Sequence, residues 1–192
     1  MRAIHLFALV TTCALAACRP PAADGYEGRA EPPDTASFAS EPQSSPDAEG
    51  AVWAPSNTPL RLLYGVPGQT PMAAIACDMA GETPAIRVTR FARADEGAQA
   101  LMAIIGNGHK ERFPVEATDN GRAFLWEGAI DLRSEKLDVL TGQRGVELTI
   151  PVAGTLPLNA SDAPRDLIET CRLAARRNFR SFREQESRSN PE

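Results

Sequence analysis

His109 is the side chain best suited to move a proton near neutral pH, and it stands just after a Gly106-Asn107-Gly108 turn. A nucleophilic triad can be written around it, with Ser134 as nucleophile and Asp119 or Glu111 orienting the imidazole. Any chain of this size permits such a choice, and no Gly-x-Ser-x-Gly elbow presents a serine here. His109 also opens the run Lys110-Glu111-Arg112, which reads as the polar start of a strand. Carboxylates pair at Asp78 with Glu82, Asp95 with Glu96, and Asp131 with Glu135. They fall in expected turns or loops, where solvation accounts for them; acid–base catalysis needs two held close together in a cleft. The turns 65–68 and 106–108 lack the Lys-Ser/Thr ending of a phosphate loop. Trp126 offers a platform for stacking a sugar or peptide, but Phe124, Leu125 and Ile130 around it fit a core residue better. No catalytic role follows from these patterns, and no cofactor is expected. Trp126 and His109 are the candidates for contact with a ligand.

Cysteine is the more informative residue type. Of the four, Cys13 and Cys18 lie in an amino-terminal stretch that opens with Arg2 and continues as an apolar run over residues 3–14. Leu15-Ala16-Ala17-Cys18 follows, with small residues where a cleavage site belongs. This resembles the bacterial lipobox, in which the cysteine thiol is acylated and the chain is cut just before it. The resemblance implies a signal peptide over residues 1–17, a lipidated Cys18 and attachment to a membrane through acyl chains, of which stable anchoring needs more than one. In lipoproteins of this type, aspartate directly after the cysteine commonly retains the protein at the inner membrane. Arg19 stands there instead, so the resemblance implies the outer membrane, facing the periplasm. Ordinary secretory cleavage near Ala17 and a retained anchor are the competing readings. The apolar run is short for a spanning helix, which needs about 20 residues, and no later segment is long and uncharged enough to span.

Export would place Cys77 and Cys171 in an oxidising compartment, and a disulfide between them is the simplest expectation. A metal site would need further ligands, yet His109 is the only histidine beyond the leader and is distant in sequence from both cysteines. A redox-active dithiol would show Cys-x-x-Cys spacing, which is absent.

The elements that would position these residues lie in the second part of the chain. The formal charge is −5, and between residues 22 and 50 seven acids oppose Arg29 alone, amid Pro, Ser, Ala and Gly. Such a segment cannot recover its ordering entropy by burial, so residues 18–52 are expected to be a disordered acidic tether. Recurrent Val, Ile, Leu and Phe then define one β-rich domain over residues 53–175. Alternation is cleanest at residues 85–91, where Ile86 and Val88 share a face with Arg90 in line, opposite Arg87, Thr89 and Phe91. Residues 98–105 read as either a short helix or a buried strand, and residues 109–117 as a strand returning in a hairpin. Residues 123–130, 137–140 and 145–152 are further strands, with Pro151 marking an edge or an end. Short strands with Gly, Pro and Asn turns at roughly ten-residue spacing predict a mainly β fold, an antiparallel sandwich or barrel-like domain. A C-terminal helix follows, capped by Ser161 or Asp162 with Pro164 in its first turn.

The tail over residues 176–192 is basic: Arg176, Arg177, Arg180, Arg183 and Arg188 face only Glu184, Glu186 and Glu192. Phe179 and Phe182 stand three apart, on one side if the helix continues. Together with Arg176, Arg180 and Arg183 they are the candidates for contact with an envelope protein or peptidoglycan. A solvated helical extension explains the same pattern. Nucleic acid is not an expected partner, since a basic stretch alone is no recognition motif. Tyr64-Gly65-Val66-Pro67-Gly68 with Cys77, Ile105-Gly106-Asn107-Gly108-His109, Trp126-Glu127-Gly128 and the run from Leu167 to Arg172 are similar to a group of uncharacterised exported proteins of alphaproteobacteria. That resemblance implies domain limits and no activity. The leading expectation is a lipid-anchored envelope protein acting through contacts rather than catalysis. A periplasmic sugar- or lipid-binding module and a small hydrolase are the alternatives.

Overall fold

Period-two alternation builds nine strands. A computed structural model describes residues 42–81 and 83–189, with side chains as far as Phe179; the expected leader 1–17, Cys18 and the tether to residue 41 lie outside the described residues. The strands are β1 (Val52–Pro55), β2 (Arg61–Gly65), β3 (Ala73–Asp78), β4 (Ala85–Arg93), β5 (Gln99–Gly106), β6 (His109–Asp119), β7 (Phe124–Asp131), β8 (Val146–Ile150) and β9 (Gly154–Leu158). One sheet joins them in the order β1-β2-β3-β4-β7-β6-β5-β8-β9, with every ladder antiparallel. It curls into a nearly closed barrel, followed by helix α2 (Ala163–Ser189). Of the two β architectures expected, the barrel-like one forms.

Inward residues such as Ile75, Ile86, Val88, Ile104, Trp126 and Leu148 fill the barrel, each almost wholly removed from water. Burying one such side chain contributes about 2 kcal/mol. The two edges of the sheet meet through polar groups. The Tyr64 hydroxyl on β2 donates to Pro157 O on β9 and accepts from the Asn159 N–H, both at 2.9 Å. Asn159 Nδ2 in turn donates to Ala51 O at 2.7 Å. Burial pushes the Tyr64 phenol above its ordinary pKa, which keeps it a neutral donor. Pro157 is tolerated because β9 is an edge strand and needs no donor there.

The β5–β6 hairpin turns on Asn107 and Gly108, with φ of 53° and 86°. Positive φ at both central residues is the geometry in which Asn-Gly is favoured, because it matches the twist of the flanking strands. The ambiguous residues 98–105 are therefore strand, as half of the expected hairpin.

Three boundaries differ from expectation. Residues 137–140 are not a strand: a 3-10 turn at Glu135–Leu137 leads into a short helix α1 (Asp138–Thr141). Ser134 caps that turn by accepting from the Lys136 N–H, and Leu137, Val139 and Leu140 are all buried, a spacing that period two cannot give. Strand β8 ends at Ile150, and Gly154–Leu158 forms a ninth strand that Pro157 and its brevity hid. The ordered domain also begins before residue 53. Residues 42–51 lie along the barrel as a strap, with Ala48 and Ala51 buried. Alanine carries little apolar surface, so composition alone placed them in the tether.

Candidate functional site

The barrel has two ends, and each gathers some of the residues with chemical potential. At the first, β3 delivers Cys77 and helix α2 delivers Cys171. Their Cα atoms are 5.7 Å apart across a sequence separation of 94, which is disulfide geometry. Helix α2 starts where expected, with Ser161 Oγ accepting from the Ala163 N–H and Pro164 in the first turn. Leu167, Ile168 and Cys171 are its buried side. Two of its arginines then fasten the loop after β7: Arg165 Nε donates to Thr141 O at 2.7 Å, and Arg172 Nε donates to Leu132 O at 2.9 Å. Asn107 completes this end, donating from Nδ2 to Val139 O and accepting at Oδ1 from the Arg144 N–H, each at 2.9 Å.

The opposite end holds the feature that the motif reading missed. Arg90 on β4 points inward and is only 5% exposed. Its guanidinium donates to Met72 O at 2.8 Å and, at the limit of range, to Ala153 O at 3.5 Å. No carboxylate among the described residues pairs with it, and desolvation pushes its pKa below the usual guanidinium value. Trp126 stands opposite Arg90 in the β4–β7 ladder. Arg90 Nε and Trp126 Nε1 are both buried without a hydrogen-bond partner. The ladder slips between Arg90 and Arg93, the kind of bulge that re-aims a side chain. The strap crosses this end: Gln43 N–H donates to Val152 O at 2.9 Å, Gln43 Nε2 donates to Arg93 O at 2.7 Å, and Ser45 Oγ accepts from the Thr155 N–H at 3.0 Å. Gly154 lets the strap lie so close, because a Cβ there would come within 2.8 Å of the Ser45 nitrogen. The signal available in sequence was the alternation that put Arg90 in line with Ile86 and Val88.

The residues of the notional triad are scattered. His109 is exposed at the start of β6, while Asp119 ends the same strand, about 30 Å away at the usual rise per residue. Asp119 is occupied in its turn, accepting from the Gly121 N–H, and Ser134 caps the 3-10 turn. The carboxylate pairs are likewise engaged elsewhere. Asp78 pairs with Arg87, whose hydrogen bond holds the carboxyl below its ordinary pKa, while Glu82 lies outside the described residues. Arg133 draws the partly exposed Asp131 down to about 2, chiefly through its side-chain hydrogen bond. Trp126, with 1% exposure, faces the core rather than an open groove. On the outer surface, an open groove of about 660 Å³ runs over Leu101, Pro114 and Ala129 toward Glu116 and Glu127. Glu127 already accepts from Thr89 at 2.8 Å and Arg87 at 3.3 Å.

Helix α2 continues past Cys171. Leu173 and Phe179 stand 56% and 65% exposed, beside the exposed Arg176 and Arg177. The backbone remains helical through Arg180, Phe182 and Arg183, whose side chains lie outside the described set. No helix among the described residues is long and apolar enough to cross a membrane, and none of their His, Cys, Asp and Glu residues group as metal ligands. Comparison with protein-family models, with curated proteins and with solved structures gave no match.

Proposed function

We propose that this protein is a lipid-anchored protein of the bacterial outer membrane whose folded domain acts by contact, through the distal part of α2. The leader ending in Cys18 supports the anchor, and the acyl chains would carry a polar domain to the bilayer without a spanning segment. One observation carries the contact reading: α2 extends beyond the residues that seat it and exposes Leu173 and Phe179 next to arginines. Exposed aromatic and arginine side chains together are the composition of interface hot spots. The partner class is an envelope protein or peptidoglycan, recognised by aromatic packing and guanidinium pairing.

Two experiments test the two halves of this reading. Mass spectrometry of the mature amino terminus is expected to find acylated Cys18; an unmodified terminus at another residue overturns the anchor. Crosslinking in intact envelopes is expected to lose its products when Phe179→Ser and Arg176→Glu are combined. Unchanged products from that variant overturn the contact surface.

A further inference from the structure

We propose that the strapped end of the barrel is a binding site for a small monocarboxylate, held between Arg90 and Trp126 and covered by residues 43–48. The two side chains come from directly paired positions of an antiparallel ladder, so they share the inner face at neighbouring Cβ spacing. Both are more than nine-tenths buried, and each retains a hydrogen-bond donor without an acceptor, Nε on Arg90 and Nε1 on Trp126. Two unmet donors on facing ladder positions call for an acceptor with two oxygens, or for one oxygen that receives both.

Charge decides between them. A guanidinium stays protonated even when desolvated, so burial of Arg90 among carbonyls leaves a positive charge with no carboxylate among the described residues to balance it. A bridging water satisfies donors but not charge. A carboxylate does both, with one oxygen on Arg90 Nε and the other on the indole N–H, and the planar fork of the guanidinium suits it. The ligand must be small, because Trp126 belongs to one packed core cluster with Val88, Met102 and Ile104.

The cover is built to open locally. It is tied by polar contacts of Gln43 and Ser45 to Val152, Arg93 and Thr155, and Ala153, which Arg90 reaches, lies in the same β8–β9 turn. Release of the strap would free that turn and uncover the guanidinium without separating any strand pair of the barrel. This inference is independent of the α2 contact surface.

The indole N–H of Trp126 is its own reporter, because the chain has two tryptophans and Trp53→Phe removes the other signal. The full chain, labelled with nitrogen-15 and carrying Trp53→Phe, is titrated with sodium formate and sodium acetate at constant ionic strength, with sodium chloride as the parallel arm. The expected result is a saturable downfield shift of the Trp126 indole proton with either carboxylate, none with chloride, and loss of the shift in Arg90→Met. Arg90→Lys, which keeps the charge but not the fork, is expected to weaken binding at least tenfold. An indole resonance that ignores both carboxylates in the otherwise unaltered protein overturns the proposal, whether or not the Arg90 variants fold. So does an equal response to chloride, or an unchanged shift in a folded Arg90→Met.

Discussion

At one end of the barrel, a cysteine pair, a buried helix face and three side chains reaching backbone carbonyls hold helix and loop together. At the other, an arginine side chain lies buried beneath a thin strap of polar contacts. Both ends use arginine to satisfy carbonyls that the sheet leaves free. Arg165 and Arg172 keep part of their surface in water while doing so, whereas Arg90 does not. The same bond therefore has a different net value at each end. Partial hydration leaves the first two arginines with little desolvation to offset, while full burial makes Arg90 a net cost until an anion or solvent answers it. A fold tolerates such a cost where something is meant to bind or move, and the clasped end supplies the stability that permits it.

The largest break in this comparison should come from the clasp. Opening the loop of 94 residues between Cys77 and Cys171, by reduction or by joint Cys77→Ala and Cys171→Ala, is expected to cost about 4 kcal/mol on the chain-entropy scale. Urea denaturation of the full chain with and without reductant measures it. A midpoint that does not move would mean that the helix face alone secures that end.

Asn107→Ala comes next. It strands Val139 O and the Arg144 N–H and forces alanine to a φ of 53°, so about 2–3 kcal/mol should be lost. Asn107→Gly removes the same bonds without the backbone strain and should retain about 1 kcal/mol of that difference. Equal denaturation midpoints for the two variants would exclude the strain component.

These two sites also show how far sequence reading reaches. Asn107-Gly108 was legible as a hairpin turn because the requirement for positive φ acts on nearest neighbours. That Asn107 also receives Arg144 and reaches Val139 was not, since both contacts depend on how the loop after β7 folds back. The cysteine pair was legible from compartment and count, and its 5.7 Å separation required the topology. Arg90 was readable as an inward residue from alternation, but not as an unbalanced charge, because the absence of a partner is a property of the packed barrel. The short strand β9 escaped because its alternation is only Leu156 and Leu158, with Pro157 between them. The strap escaped because it is built from small residues and proline, placed by hydrogen bonds to distant strands rather than by hydrophobic period.

A smaller effect concerns the outer wall near the clasp. Asp78 pairs with Arg87, whose hydrogen bond depresses the carboxyl pKa, so the pair adds stability above the unfolded carboxylate value near about 3.9 and loses it as pH falls through the lower folded value. Arg87 is 45% exposed, which discounts the pair to roughly 0.5 kcal/mol. Asp78→Asn should therefore lower stability slightly at neutral pH and leave it unchanged at the acid end, as read from denaturation midpoints across the pH range. A deficit that persists below the folded pKa would assign the effect to packing rather than charge.

The smallest global effect is expected at the strap, and it is the sharpest test of the difference between the ends. Ser45→Ala removes one acceptor from the Thr155 N–H, a loss of the same kind as those in Asn107→Ala. If the strap opens in denaturant before the barrel unfolds, the bond is already broken in the form that unfolds, and the barrel transition hardly registers it. The denaturation midpoint should then shift by less than about 0.5 kcal/mol, while exchange of the Thr155 amide quickens about fivefold, equivalent to ~1 kcal/mol in the local opening. Exchange at Ile104, which pairs across β8 in the barrel wall, should not change. If Ile104 quickens together with Thr155, the strap and the barrel open as one unit. The two ends would then differ in chemistry but not in cooperativity, and the buried guanidinium would have no separate route to solvent.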